Sequence, residues 1–566
     1  MRPITISEQE LSLGWNCPTK ILHARENLPK EGGDASFEEW AKSEARKVAA
    51  LARLLFDDVI STGPVLAALV AGKTVAHVEL AARGVTAYID YLNLHEGEIR
   101  LFGVTSKVLN PALHEQQREF ATVYGSIRSE WRACLRRLVI RAMVLQECFP
   151  TLKVRPFLIA PLDGAQGAHD GLHARVERLM RGGPDDPALR AEARRLLGVV
   201  DVRRECMTLL PTVRARVHEI RVFVQAPLTP VNGYHCRDCP FRGGEGFARC
   251  WGPLAKVDPH VLDVGLVYFA QDAEGNPVVD AMAAAGKASA LEIPSHAIRG
   301  AHAPRINLQL QSLRLGREIL RPELAQEYAT LGYPTTVRFL DLESLRSVLP
   351  ARAGGGVNRL ALFSFSLHTL TPGQSFQHTD WLHVDSNEDP NLAFIAALRA
   401  AVGSGDEGPI LIWTEYERNC FTEVVSECLL DGRNTPAVRW LLDLLQSGRL
   451  VDQHAWCLRH YCHPRANGRT SLKATLAAAW SEDSPVKLNP VFSGFSPDID
   501  PYAALKQQGS IADGCGAMTG YLRLLAAPPA SRAAIAADLR RYNAIDTLAQ
   551  VYLHQYWAWR LGLSWA

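Results

Sequence analysis

In the run VRFLDLES, residues 337–344, Asp341 and Glu343 lie two apart on a segment that reads as a buried strand. Successive strand side chains point to opposite faces, so Val337, Phe339, Asp341 and Glu343 share one face and Leu340 and Leu342 the other. Two like charges on one spot are costly to bury unpaired, so the pair either marks an exposed strand end or holds a cation. A third acid, Glu417 in EYERNCFTEVV, follows the strand-like PILIWT and sits near the C-terminal end of a strand, where α/β folds build sites; Glu415 and Glu423 compete for the same place. In RRYNAID, Tyr542 and Asp546 are four residues apart and project from one face of a helix. Each piece alone has an ordinary reading as an exposed strand end or a solvated helix face. Their order, element types and joint occurrence over about 200 residues point to a carboxylate site for divalent cations.

A second cluster is made of sulfur. Cys236, Cys239 and Cys250 form C-x2-C-x10-C in the turn-rich stretch NGYHCRDCPFRGGEGFARCWG, three thiolates that a small loop can aim at one ion. No fourth ligand follows locally, and His235 is a candidate substitute for one thiolate if the ion is zinc.

The elements that must position these residues are legible in outline. At 566 residues the chain exceeds one core, and length alone suggests roughly three to four domains. With 47% hydrophobic and 21% charged residues it reads as an ordinary soluble protein, and 61 Lys+Arg against 60 Asp+Glu leave no global basic field. Any nucleic-acid binding must come from local patches. The start lacks an apolar leader and no apolar run approaches a membrane span, so a cytoplasmic location is expected, where twelve cysteines do not imply a disulfide framework. Helical patterns and strand-like runs such as VAHVEL, VTAYIDYLNL, EIRLFGVTS and KVRPFLIAPL predict an α/β module over 1–254. A weaker pattern over 255–334 reads as a connecting region. A second α/β module fills 335–566, from the Asp341 strand to a long last helix.

Asp-x-Glu on a first strand, an acid after a later strand and Tyr-x-x-x-Asp on a terminal helix together resemble the RNase H-like exonucleases of the DEDDy type. That resemblance implies two Mg²⁺ or Mn²⁺ ions about 3.5–4 Å apart held by Asp341, Glu343, Glu417 and Asp546, with Tyr542 orienting water. The run from FLDLESLRSVLP through WTEYERNCF, LVDQHAW and DGCGAM to YNAIDTLAQV resembles an uncharacterised bacterial domain family that joins a RecB-like, PD-(D/E)XK module to an RNase H-like exonuclease module with a mixed sheet. Glu417 stands where the wider exonuclease class has aspartate, a feature of that family. Asp452 and Lys473 match further family positions, Asp452 as a residue behind the ligands or as a strand-end cap.

The same resemblance supplies Cys17 as a fourth ligand. RecB-like nucleases of the iron–sulfur type hold a 4Fe–4S cluster with one early cysteine and a later trio, here Cys17, Cys236, Cys239 and Cys250, with Zn²⁺ as the alternative. In the nuclease core such proteins carry an aspartate and then a glutamate-x-lysine. Asp90 fits the first, but Gly103 and Thr105 stand where the acid and lysine belong, Lys107 comes two residues late, and Arg141 replaces a glutamine. The first module is therefore expected to be a nonhydrolytic nucleic-acid clamp. Arg128, Arg132, Arg136, Arg137 and Arg141 fall at spacings of four, four, one and four, most of them along one helical stripe that either contacts phosphates or is a solvated face, with Tyr124 and Trp131 nearby as stacking or core residues. The implied function is a metal-dependent nuclease, a 3′-to-5′ exonuclease on DNA more readily than RNA, with no membrane partner. The alternative is a noncatalytic nucleic-acid-binding scaffold.

Overall fold

The computed structural model describes residues 5–30, 35–184, 186–332, 335–350, 352–384, 389–403, 408–508 and 511–563. It is a mixed α/β chain of two compact units, one comprising Met1–Val231, Asp238–Cys250 and Arg346–Arg359 and the other Asn232–Arg237, Trp251–Leu345 and Leu360–Ala566. The expected connecting region 255–334 thus belongs to the second unit, and its boundary at 334 lies outside the described residues. The physical reason is polar as much as apolar. Arg305 donates to the carbonyls of Cys457 and Tyr461 at 3.1 and 2.5 Å, and the Tyr328 hydroxyl donates to the His554 carbonyl at 2.5 Å. The connection after the Asp341 strand, in turn, is counted with the first unit.

The first unit is built on a seven-stranded sheet. Its strands are β1 (Ile6–Ser7), β2 (Val59–Ile60), β3 (Thr74–Ala82), β4 (Val85–His95), β5 (Glu98–Val104), β6 (Lys153–Pro161) and β7 (Leu197–Asp201). Strands β2 to β7 lie in sequence order and β1 pairs with β4. The β3–β4–β5 meander is antiparallel and β6 joins β5 in parallel, after the helix Ser129–Cys148 has crossed over. That helix and Arg203–Phe223 bury one apolar face against the sheet, while helices Ala35–Arg53, Leu172–Met180 and Pro187–Leu196 cover a second core. Amphipathic helices over both faces are what a sheet with two apolar sides requires.

In the second unit, β8 (Ile319–Leu320) and β14 (Tyr461–Cys462) form a small antiparallel pair. The main sheet holds β9 (Val337–Arg346), β10 (Leu360–Leu370), β11 (Gln377–Leu382), β12 (Ile410–Ile412) and β13 (Leu450–Asp452) in the order β11-β10-β9-β12-β13. Strands β10 and β11 are antiparallel, whereas β12 runs parallel to both β9 and β13. Leu340 and Leu342 enter the core shared with helices Pro390–Val402, Tyr416–Leu430 and Pro436–Gln446. Val337 and Phe339 are fully buried on the opposite face, where Phe339 meets His554 of the last helix, Pro529–Leu561, edge-on at 5.2 Å. The alternation read from the sequence therefore holds, and it turns Asp341 and Glu343 toward that last helix. No described helix is long and apolar enough to cross a membrane.

Candidate active site

The parallel pairing of β12 with β9 places Leu411 beside Phe339, so the chain leaves β12 at the level of the two acids. The helix Tyr416–Leu430 begins there, and a bond of 2.6 Å between the Tyr416 and Ser344 hydroxyls ties it to the end of β9. Glu417, in the first turn, is only 4% exposed. Its competitor Glu415 is drawn away into an ion pair with Arg418 at 2.6 Å, and Glu423 is half-buried further along the helix. From the other side, the last helix contributes Asp546. Carboxylate oxygens of Asp341, Glu343 and Asp546 all lie within 4.8 Å of one another.

This crowding is resisted by water exclusion and by mutual repulsion. Burial, then Asp546, Glu417 and Glu343, push the Asp341 carboxyl well above its usual range, with Lys473 opposing. Burial and Asp546 do the same to Glu343, again against Lys473. Glu417 is raised to about 8, chiefly by burial and then by Asp452 and Asp546 against backbone N–H groups. Asp546 is raised to about 6 by burial, held back by Lys473, Tyr502 and Tyr542.

Hydrogen bonds fix the orientation of each group. Asn543 donates its amide to Asp341 Oδ2 at 2.8 Å, and the Tyr502 hydroxyl donates to Asp546 Oδ1 at 2.5 Å. Lys473 donates its ammonium to the Tyr542 oxygen at 3.1 Å and to the Ala512 carbonyl at 2.8 Å, and it lies over the rings of Tyr502 and Tyr542. Because Tyr542 accepts from Lys473, its own O–H remains a donor on the acidic side. Asp452 caps the helix Gln453–His460 by accepting from the Ala455 N–H at 3.1 Å, so the strand-end cap is the observed role, while its charge also acts on Glu417.

The donor set fits a hard divalent ion. It is all oxygen, it concentrates more negative charge than one lysine offsets, and Glu417 Oε2 is buried with no hydrogen-bond donor among the described residues. Asn543 and Tyr502 escaped the sequence reading. The first sits inside RRYNAID without a spacing signal of its own, and the second comes from the short helix Pro501–Gln507, which only tertiary packing brings to Asp546. Lys473 was indicated by resemblance alone.

The acid of the first unit is arranged differently. Asp90 Oδ2 accepts from the Val104 N–H at 2.9 Å and from Arg141 Nη1 at 2.5 Å, while Arg141 Nε reaches both Glu8 oxygens at 3.1 and 3.0 Å. Burial works against the guanidinium charge, but Asp90 and Glu8 outweigh it and hold the group firmly protonated. A built-in cation therefore fills this carboxylate pair. A side chain at Gly103 would have its Cβ 3.0 Å from the tip of Leu138 and 3.8 Å from Arg141 Nη1, so Leu138 would have to give by a few tenths of an ångström to admit one. β5 ends at Val104, so Lys107 lies exposed beyond the strand instead of on its face.

The expected arginine stripe is corrected at its C-terminal end. Arg141 is 8% exposed and committed to Asp90 and Glu8, so it is not available to phosphates. Arg136 packs over the Trp15 ring at 4.0 Å, Arg128 lies 3.5 Å from Glu130, and Arg132 is exposed but turns its Nε to the Ile127 carbonyl. Trp131 is core and Tyr124 is 94% exposed. Of the cysteines, Cys17 precedes the helix Thr19–Arg25, Cys239 and Cys250 also belong to the first unit, and Cys236 is buried in the second. His23 Nε2, on the helix that follows Cys17, stands 3.2 Å from Cys250 Sγ, and His235 Nε2 stands 3.7 Å from Cys236 Sγ.

Residues 338–471 match a family described as a domain of unknown function, DUF2779. The match starts within β9 and includes Asp341, Glu343, Glu417 and Asp452 but stops short of Lys473, Tyr542 and Asp546. Neither a curated protein nor a solved structure matches the chain.

Proposed function

We propose that the second unit is an RNase H-like nuclease of the DEDDy type, hydrolysing phosphodiesters from the 3′ end, on DNA more readily than RNA. The observation that carries this reading is the convergence of Asp341, Glu343 and Asp546 within 4.8 Å, with the buried carboxylate of Glu417, whose Oε2 has no donor among the described residues, acting on the same charges. The strand order β11-β10-β9-β12-β13, with the first acids on the central strand, supports it further. Two Mg²⁺ or Mn²⁺ ions held by these four acids would supply Lewis-acid stabilisation of the attacking and leaving oxygens. Tyr542, anchored through its oxygen by Lys473, would orient the attacking water through its hydroxyl. Asn543 and Tyr502 fix the rotamers of Asp341 and Asp546, so the ligands are preorganised.

The first unit reads as a RecB-like module without hydrolysis, because Arg141 neutralises Asp90 and Glu8. The C-x2-C-x10-C spacing with Cys17 supports a 4Fe–4S centre, with Zn²⁺ the alternative. The test is cleavage of 3′- and 5′-labelled single- and double-stranded DNA and RNA during Mg²⁺ and Mn²⁺ titrations. Shortening from the 3′ end is expected, abolished in Asp341→Asn/Glu343→Gln. Absence of both cleavage and metal binding in the unaltered protein would favour the noncatalytic scaffold instead.

A further inference from the structure

With Arg141 withdrawn into an internal ion pair, the first unit must meet a polyanion elsewhere, and the helix Arg203–Phe223 offers a place. Val213, Val217 and Ile220 turn inward, which leaves Arg214, His218 and Arg221 at i, i+4 and i+7 along one outer stripe. Arg214 and His218 are exposed and Arg221 is half-buried. This stripe forms one wall of a groove of about 390 Å³, completed by Arg83 from the β3–β4 turn and by Met143, Gln146 and Glu147 from the end of helix Ser129–Cys148. Val85, Val144 and Val217 give it an apolar floor.

The charges in the groove do not cancel. Its one acid, Glu147, is taken by Arg83 in an ion pair at 2.7 Å. Arg214 and Arg221 have no carboxylate partner among the described residues, and Arg221 Nε is buried without an acceptor. Seven residues of helix separate the two guanidinium-bearing positions by about 10 Å along the axis. Two uncompensated forks at that separation, above an apolar floor, suit an anion whose charges repeat along a chain with carbon-rich groups between them. Arginine meets phosphate oxygens bidentately, which a more hydrated ammonium does not.

We propose that this groove binds the sugar–phosphate backbone of a nucleic-acid strand, Arg214 and Arg221 taking phosphates and the apolar floor taking sugars or bases. The proposal rests on the reading of the protein as acting on nucleic acid, and it moves the phosphate contacts away from the helix carrying Arg128 to Arg141.

The experiment is fluorescence anisotropy of the full chain in EDTA with a labelled single-stranded DNA 20-mer over a salt series. Three proteins are compared: the unaltered chain, Arg214→Ala/Arg221→Ala, and Arg178→Ala/Arg181→Ala as a control with the same charge change at exposed positions on and just after the helix Leu172–Met180. The groove variant is expected to bind about tenfold or more weakly, with the slope of log K against log salt smaller by about 1.4, at about 0.7 per phosphate on a single strand. The control is expected to stay within about twofold. Equal weakening of both variants, or of neither, overturns the proposal, as does a polyaspartate competitor that displaces the DNA at equal charge concentration. Cleavage of thymidine 5′-(p-nitrophenyl phosphate) by the unaltered protein with Mn²⁺ tests the second unit alone. Failure there leaves the anisotropy result standing, and loss of the anisotropy difference leaves the hydrolysis standing.

Discussion

Neutralising one acid of the second unit should make the metal-free protein more stable while removing its response to metal. Glu343→Gln keeps the side chain's shape and deletes a charge whose carboxylate lies within 4.8 Å of two others. At that separation and an effective dielectric near 20, each fully charged pair repels by about 3 kcal/mol. The cluster already sheds part of this by keeping protons, as the raised Glu417 and Asp546 carboxyls show, and Lys473 offsets more. A net relief of about 1–2 kcal/mol at pH 8 remains, or a melting temperature a few degrees higher. The pH dependence has a definite sign. These carboxyls are raised in the fold, so the folded state binds more protons than the unfolded one and stability falls as pH rises toward about 8. The advantage of the variant should therefore be greatest at pH 8 and vanish near pH 5, where the unaltered cluster is protonated. Mn²⁺ at a hundred times its dissociation constant should stabilise the unaltered protein by about 2.7 kcal/mol and the variant by much less. Calorimetry at pH 5, 6.5 and 8, with EDTA and with Mn²⁺, reads all of this. A variant less stable than its parent in EDTA at pH 8, or equal stabilisation of both by Mn²⁺, would refute the reasoning.

Tyr542→Phe should slow cleavage by about 10- to 100-fold at saturating Mn²⁺ with unchanged metal affinity, whereas Asp546→Ala should weaken metal binding in calorimetric titrations, since in the proposed site only the carboxylate is a ligand. Asp90→Ala strands the buried Arg141 with one partner and should cost about 3 kcal/mol in denaturant unfolding, yet leave hydrolysis by the second unit intact. Anaerobically purified protein should be brown and carry iron and sulfide, lost with solubility in Cys236→Ser or Cys239→Ser; stoichiometric zinc without iron would assign the other metal.

The local pattern of the sequence determined which face of each element carries which residue. Period-two alternation in VRFLDLES was enough to set Asp341 and Glu343 opposite Leu340 and Leu342, and a spacing of four was enough to align Tyr542 with Asp546, because backbone geometry alone dictates both. What no local pattern contains is the partner of a charge. Arg141 reads as one more member of a basic stripe, and only the approach of Glu8, 133 residues away, and of Asp90, 51 residues away, turns it into a buried counter-ion. Glu415 and Glu417 differ by two positions, and the choice between them was made by the β9–β12 register and by Arg418. Tyr502 and Lys473 reach the acidic site from segments separated from it in sequence, and residues 255–334, weakly patterned, were bound into the second unit by long-range bonds from Arg305 and Tyr328. Periodicity is a property of neighbours along the chain, whereas ion pairing, burial and the orientation of a ligand are properties of neighbours in space, and only the tertiary structure supplies those.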